Sequence, residues 1–286
     1  MSQRLVAGAR VFGLMTVLSL VSCTSGPPPV KMGTPEWFWS SAREQYAVGD
    51  FAKTQEHLER LMAGESPFRA RAATWHLVVL AGMARGHREL ADAYADGAPG
   101  AKANTSEFRR TVNDQRRLSR QFTIGLAEEV GRFQKELGSA EKIALEFAFP
   151  IGSAAEPPIL NNIRRGLLPQ EQDRAKAHRE SIARGVLLQS SEVAGEEAAK
   201  AAEVFKTLPV QVPRAVFLYG LANSLVDQSA LFDRRKLQEP EKKKILLQLA
   251  SDLVKSASET ADDAGKKKIK ALQAKIEKET KNIGKT

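Results

Sequence analysis

Apolar residues recur at steps of three and four along most of this chain, the spacing of one face of an α-helix. The longest series lies near the middle and consists of Phe108, Val112, Gln115, Leu118, Phe122, Leu126, Val130, Phe133 and Leu137. Asn104, with Glu107 three residues later, resembles a capping box, and Gly138 is placed to end the helix. The alternation typical of strands is hardly visible. The pattern therefore predicts an all-α fold.

Two helical hairpins are predicted before this long helix, within residues 36–148. In each, an aromatic residue opens the first helix and a glycine ends it eleven residues later: Phe38 with Gly49, and Trp75 with Gly86. This spacing resembles the tetratricopeptide repeat, although the two copies lie 37 residues apart and the repeat has a period of about 34. The resemblance implies stacked hairpins with a concave surface that binds peptides, followed by a longer helical bundle or array.

Proline and glycine interrupt the helical pattern in residues 149–169, which form either a linker between two domains or a crossover loop within one. Residues 170–286 are again predicted to be helical. Pro240 opens one helix there, and its expected core face consists of Ile245, Leu246, Leu249, Leu253 and Ala257. In the final helix, Ile269, Leu272, Ile276 and Ile283 form a narrow stripe suited to packing along one partner helix.

The N-terminus carries the pattern of an export signal. Arg4 and Arg10 precede an uncharged apolar run from Val11 to Val21, which as a helix is about 16 Å long and too short to cross a bilayer. The run ends in Leu20-Val21-Ser22-Cys23, which resembles the lipobox of bacterial lipoproteins. An ordinary secretory signal, or a lone buried cysteine in a cytosolic protein, is the alternative.

The lipoprotein resemblance implies cleavage after residue 22, a diacylglycerol on Cys23 and anchoring to a membrane of the cell envelope. The residue after the cysteine is Thr24 and not the Asp that is typical of inner-membrane retention, which implies the periplasmic face of the outer membrane. Residues 23–35 contain four prolines and are expected to form a semi-rigid tether between the lipid and the folded body.

The net charge favours some classes of partner over others, and the cysteine content limits disulfides and metal sites. The formal net charge is +9, which in an exported protein favours anionic lipids or acidic partners over nucleic acid, and we expect no nucleic-acid partner. Cys23 is the only cysteine, so we expect neither a disulfide framework within the chain nor a cysteine-based metal site.

Two sets of residues are candidates for contact with an envelope protein. Trp37, Trp39 and Tyr46 are the aromatic candidates. For the two tryptophans, packing as a cap of the fold is the favoured alternative, and a position at a membrane interface is another. The basic candidates, Arg109, Arg116 and Arg120, share one stripe of the long helix, and pairing within the chain is the favoured alternative for them.

Catalytic and metal-binding motifs are not found in the sequence. The four histidines, at positions 57, 76, 87 and 178, lack the spacing of zinc ligands, and no nucleophile or phosphate-binding motif is present, so neither an enzyme nor a cofactor is expected. We therefore expect a protein-interaction scaffold, with a carrier of lipid or another apolar ligand as the alternative. An open groove lined by the aromatic candidates would favour the scaffold and a closed apolar cavity the carrier. A buried cluster of histidine and carboxylate around His76 or His178 would favour an enzyme.

Overall fold

A computed structural model describes residues 30–136, 140–148, 152–233 and 236–283. The chain divides into two compact units, Met1–Val30 and Lys31–Thr286, and the second contains almost all of the described residues. Cys23, the apolar run before it and residues 24–29 of the proline-rich tether lie outside the described residues.

The described residues form ten α-helices and one pair of strands, which confirms the all-α prediction. The helices are α1 (Pro35–Val48), α2 (Phe51–Met62), α3 (Arg69–Gly97), α4 (Thr105–Glu136), α5 (Ile159–Arg164), α6 (Glu171–Ala194), α7 (Ala198–Val204), α8 (Arg214–Ser229), α9 (Pro240–Ser258) and α10 (Asp263–Lys281). The strands are β1 (Lys142–Leu145) and β2 (Val210–Pro213).

The first predicted hairpin is present, and its ends follow from local chemistry. The Thr34 hydroxyl accepts a hydrogen bond from the backbone N–H of Trp37, and Pro35 occupies the first turn of α1. Gly49 ends α1 in the left-handed region, at φ +80°, where a side chain would be strained. The Asp50 carboxylate then accepts from the N–H of Lys53 and caps α2.

The second predicted hairpin is wrong. The sequence placed a turn at Gly86, but α3 runs through this residue as one continuous helix. Gly86 is there because α3 and α6 approach each other very closely: a Cβ built on Gly86 would lie 2.6 Å from the Cα of Ile182. Gly82 and Gly185 complete the contact, and a Cβ on Gly185 would lie 2.3 Å from the carbonyl oxygen of Gly82. The glycine therefore serves packing between two helices and not a turn.

The tetratricopeptide resemblance is therefore limited to one hairpin. The second copy of the aromatic–glycine spacing, from Trp75 to Gly86, lies inside the central helix α3. Between Ala72 and Ala84 every residue of α3 is buried, because α2, α4, α6 and α8 surround it. A helix that is covered on several sides differs from the half-exposed helices of a repeat array.

The strand pair was not predicted. The two strands are antiparallel, with Ile143 opposite Val212. Ile143, Leu145 and Phe147 are buried at alternate positions, and Phe147 stacks on Trp75 with ring centroids 4.3 Å apart. This short alternation was the available signal, and it is only a few residues long.

The described part of the interrupted stretch 149–169, residues 152–169, packs against the same core as the helices on either side of it. Although residues 149–151 lie outside the described part, α5 within this stretch buries Leu160 and Ile163 against Tyr94 and Phe108. The main hydrophobic cluster also combines residues from both sides of it, such as Trp75 and Phe217. The halves on either side of residues 149–169 therefore share one core.

Helices α9 and α10 pack largely as the sequence predicts, apart from two side chains of α9. Ile269, Leu272 and Ile276 bury the narrow stripe of α10 in the main cluster. On α9, Leu246, Leu253 and Ala257 are buried. The exceptions are Ile245, which the sequence assigned to the core but which is 56% exposed, and Leu249, which is only partly buried. These two side chains lack a covering element in the described fold.

Candidate partner-binding groove

The uncovered part of α9 faces α4 across an open groove of about 540 Å³, here called the α4–α9 groove. Its apolar surface comes from both helices and from the turn before α9: Ile124, Ala127, Gly131, Phe232, Ile245, Leu246 and Leu249. Gly131 widens the groove, because a Cβ built on it would have no atom within 4 Å. The groove is therefore an apolar trough between two helices.

The charged lining of the groove is mainly basic. Arg132, Lys135 and Lys242 carry positive charge and Glu128 carries negative charge. Arg132 pairs with Glu129 at 2.7 Å, and Lys242 lies 3.5 Å from Glu239, so both cations are partly neutralised. Lys135 is exposed and has no ion pair among the described residues. An anionic group at this end of the groove would find a cation without a partner.

Two ion-pair networks hold α9 in place beside the groove. The Arg120 guanidinium on α4 binds Glu239, at the start of α9, through two hydrogen bonds of 2.7 and 3.0 Å. This pairing lowers the pKa of the Glu239 carboxyl and raises that of Arg120. In the second network, the buried Lys243 ammonium donates hydrogen bonds to Asp233 at 2.6 Å and to Glu279 at 2.7 Å. Burial lowers the Lys243 pKa, but these two carboxylates outweigh burial and raise it overall.

The Arg120 contact therefore confirms the pairing alternative for one basic candidate. Its guanidinium is engaged by Glu239 and holds two helices together. Arg109 is exposed and Arg116 is half-buried, with its Nε atom lacking a hydrogen-bond partner among the described residues. The three arginines do not line the α4–α9 groove.

Two of the three aromatic candidates, Trp39 and Tyr46, lie in the core, and for Trp39 this matches the packing alternative. Trp39 is 6% exposed and stacks on Phe68, while Tyr46 is fully buried and bonds the Ser190 hydroxyl at 2.5 Å. Burial outweighs this hydrogen bond and raises the Tyr46 pKa. Trp37 is half-buried and packs edge-on against His57. Phe147, which follows β1, packs against the rings of both Trp39 and Tyr46 and covers them.

Two other recesses lie on the described surface. One, of about 600 Å³, lies between the ends of α6, α8 and α10 and is lined by Tyr219, Val216 and several carboxylates. The other, of about 500 Å³, lies beside the α1–α2 turn near Val48 and Pro157. Neither the open aromatic groove nor the closed apolar cavity that the sequence put forward is among these recesses. The α4–α9 groove includes Ile245 and Leu249, which the sequence assigned to the core.

His76 is the feature closest to an acid–base site. Its ring nitrogens lie 3.6 Å from Glu59 and 3.6 Å from Glu129, which is the histidine–carboxylate grouping that would favour an enzyme. Burial raises the pKa of Glu129, but His76, Arg132 and Arg69 outweigh burial and lower it overall. The His76 side chain is only 5% exposed. The ring therefore lies beneath the surface, between the buried Glu129 and the exposed Glu59.

Two polar pairs link α3 to its neighbours α4 and α6. His87 bonds Gln115 at 2.7 Å and His178 lies 3.1 Å from the Tyr94 hydroxyl. Burial lowers the pKa of His87, and burial with the nearby charges of His87 and Arg174 lowers that of His178 to about 4. Both rings are therefore neutral at pH 7, which suits structural contacts in a helix bundle.

Comparison with known proteins finds no relative of this chain. No protein-family model matches the chain, and no curated protein or solved structure is significantly similar to it. Within the described ranges, no helix has the length and apolar character needed to cross a membrane. The same residues contain no group of three or more His, Cys, Asp or Glu side chains arranged to hold a metal ion.

Proposed function

We propose that this chain is a lipid-anchored scaffold protein of the bacterial cell envelope that binds a protein partner through the α4–α9 groove. The observation that carries the proposal is the exposed Ile245, together with the partly buried Leu249, on a helix whose other apolar residues are in the core. Apolar side chains that converge on a trough are typical of recognition grooves for amphipathic helices.

The anchoring part of the proposal rests on residues 1–35. The positive residues, the short apolar run and Cys23 are arranged as in bacterial lipoproteins, and the proline-rich stretch after them is long enough to separate the folded unit from a bilayer. With Thr24 after the cysteine, the outer membrane is the proposed location. A Cys23→Ser variant is expected to lose labelling by a radioactive fatty acid, and labelling that persists would contradict the anchor.

The scaffold role is tested by co-purification from solubilised envelopes. Ile245→Glu places a charge in the groove at an exposed position and should release a partner that co-purifies stoichiometrically with the wild type. Gln248→Glu is the matched control, since it adds the same charge to an exposed position of α9 outside the groove lining. Equal recovery of the partner with both variants, or no stoichiometric partner with the wild type, would contradict the proposal.

The groove geometry favours the scaffold over the carrier of a small apolar ligand. Ligand pockets usually bury 70–90% or more of a drug-sized ligand, at roughly 300–1,000 Å³. The α4–α9 groove has a comparable volume, but its walls include the exposed Ile245, Arg132 and Lys135, so a small ligand would remain largely in water. A folded partner brings its own surface to cover these side chains.

A further inference from the structure

We infer that the occupant of the α4–α9 groove is an amphipathic α-helix of about three turns, with an apolar stripe and acidic flanks, contributed by a protein partner. This inference rests on the proposed function and specifies the chemistry of the partner at the same site. Three properties of the groove support it: its length, the hydrogen bonds that already engage the backbone of its walls, and its charge.

The length of the groove fits a short helix. Its lining on α4 extends from Ile124 to Lys135, eleven residues along one helix, or about 16 Å at 1.5 Å per residue. A second helix lying along this trough would present about three turns, which is the extent of anchors at positions i, i+3 or i+4, and i+7. Ile245 and Leu249 are themselves four residues apart and offer matching ridges.

The walls of the groove exclude an extended peptide as a good fit. Both walls are helices, α4 and α9, so most of their backbone N–H and C=O groups are already bonded within the helices. An extended segment would find few backbone partners and would leave its own groups unpaired against apolar side chains. A helix bonds its own backbone and needs only side-chain contacts from the groove.

The charge of the lining favours an occupant with acidic residues on either side of its apolar stripe. Three cations, Arg132, Lys135 and Lys242, and one anion, Glu128, lie around an apolar floor. Glu129 and Glu239 beside the lining already pair with Arg132 and Lys242, so an occupant would pair first with Lys135. Lys135 has no ion pair among the described residues, and the contact of Lys242 with Glu239 is loose at 3.5 Å. Glutamate or aspartate beside the apolar stripe of the occupant would pair with these ammonium groups, whereas lysine there would be repelled.

Two synthetic peptides test the inference directly. Both carry the same leucine stripe at helical spacing, and one is flanked by glutamates and the other by lysines. Binding of each labelled peptide to the full chain, held in nanodiscs of a zwitterionic phospholipid, is measured by fluorescence anisotropy. We expect the acidic peptide to bind at least about tenfold more tightly at low salt, with the difference shrinking as salt screens the charges.

Two variants connect that binding to the groove. Lys135→Glu combined with Lys242→Glu reverses the charge of the lining and should invert the preference toward the lysine-flanked peptide. Gly131→Leu fills the floor of the groove without changing its charge. A Cβ at position 131 meets no atom within 4 Å, so the fold should be retained while the binding of either peptide is abolished. Circular dichroism checks that both variants remain helical.

The other outcomes separate this inference from the proposed function. Equal binding of the two peptides, or binding that survives Gly131→Leu, would overturn the acidic helix and leave the co-purification test of the scaffold unaffected. Self-association of the chain that Gly131→Leu abolishes would overturn it in favour of a second copy. Binding of phosphatidylglycerol vesicles through the groove, with neither peptide bound, would overturn it in favour of a lipid.

Discussion

The close contact between Gly82 and Gly86 of α3 and Gly185 of α6 gives a demanding test of the architecture. A Cβ on Gly185 would lie 2.3 Å from the Gly82 carbonyl oxygen, 2.6 Å from the Gly86 nitrogen and 2.9 Å from the Gly86 Cα. All three neighbours are backbone atoms, so no rotation of a side chain can relieve the overlap. Gly185→Ala therefore requires the two helices to separate by about 1 Å, since carbon atoms pack at roughly 3.5–4.0 Å.

The magnitude follows from two opposing terms. Alanine is preferred over glycine inside a helix by about 0.5–1 kcal/mol, which stabilises the variant. Overpacking a tightly packed core costs about 1–3 kcal/mol and occasionally more, and rigid backbone contacts belong at the upper end of that range. We expect Gly185→Ala to lower the free energy of unfolding by about 2 kcal/mol.

Gly131→Ala is the matched control, because Gly131 also lies inside a helix but a Cβ there meets no atom within 4 Å. Only the helix preference acts at this position, so this variant should raise the free energy of unfolding by about 0.5–1 kcal/mol. Urea unfolding of the full chain, followed by circular dichroism, compares the midpoints at unchanged slope. A Gly185→Ala variant as stable as Gly131→Ala would refute the close contact between α3 and α6.

Three further predictions concern the charged and aromatic contacts. Because the His178 pKa is lowered to about 4 in the folded chain, the unfolded chain binds a proton between pH 6.5 and 4 that the folded chain does not. The contribution of His178 to the free energy of unfolding is therefore fully present above pH 6.5 and falls as the pH drops toward 4. A pH series of urea unfolding should show a loss of about 1 kcal/mol from this residue between pH 7.5 and 5 and a shallower slope in His178→Gln; equal slopes would contradict it. A double-mutant cycle of Arg120→Ala and Glu239→Ala should give a coupling of about 0.5–1 kcal/mol that shrinks in 1 M salt, whereas additive effects would show that the pair is not formed. Phe147→Ala should lower the free energy of unfolding by about 3–5 kcal/mol, because this buried ring stacks on Trp75, and a change below that of Phe38→Ala at a half-buried ring would be inconsistent with the packing.

Helical periodicity was sufficient for the fold class and for most of the core. The steps of three and four residues in α4 and α10 identify buried faces because each of these helices packs mainly through one stripe. The same reasoning failed at Gly86, where local sequence cannot distinguish a glycine that ends a helix from one that admits a neighbouring helix. That distinction depends on α6, which lies about 100 residues later in the chain.

The exposure of single side chains was the least predictable property. The sequence offers Trp39 and Tyr46 as candidates for partner contact, but the segment around Phe147 covers both, and only the tertiary structure brings that segment to α1. The groove was missed for the opposite reason. Ile245 and Leu249 were assigned to the core because they fit its periodicity, although the apolar residues of α9 extend over about 200° of its circumference at 100° per residue. An arc of that width exceeds what the neighbouring helices cover, and this excess was the available signal.

The central claim is that the α4–α9 groove contacts a protein partner, and site-specific photo-crosslinking in intact cells tests it most directly. A photoreactive amino acid at position 245 projects from an exposed site of the groove, and one at position 273, exposed on α10, is the control. The account predicts a discrete crosslinked protein from position 245 that is lost when Gly131→Leu fills the groove and is not formed from position 273. The same crosslinks from both positions, or none from position 245, would contradict it.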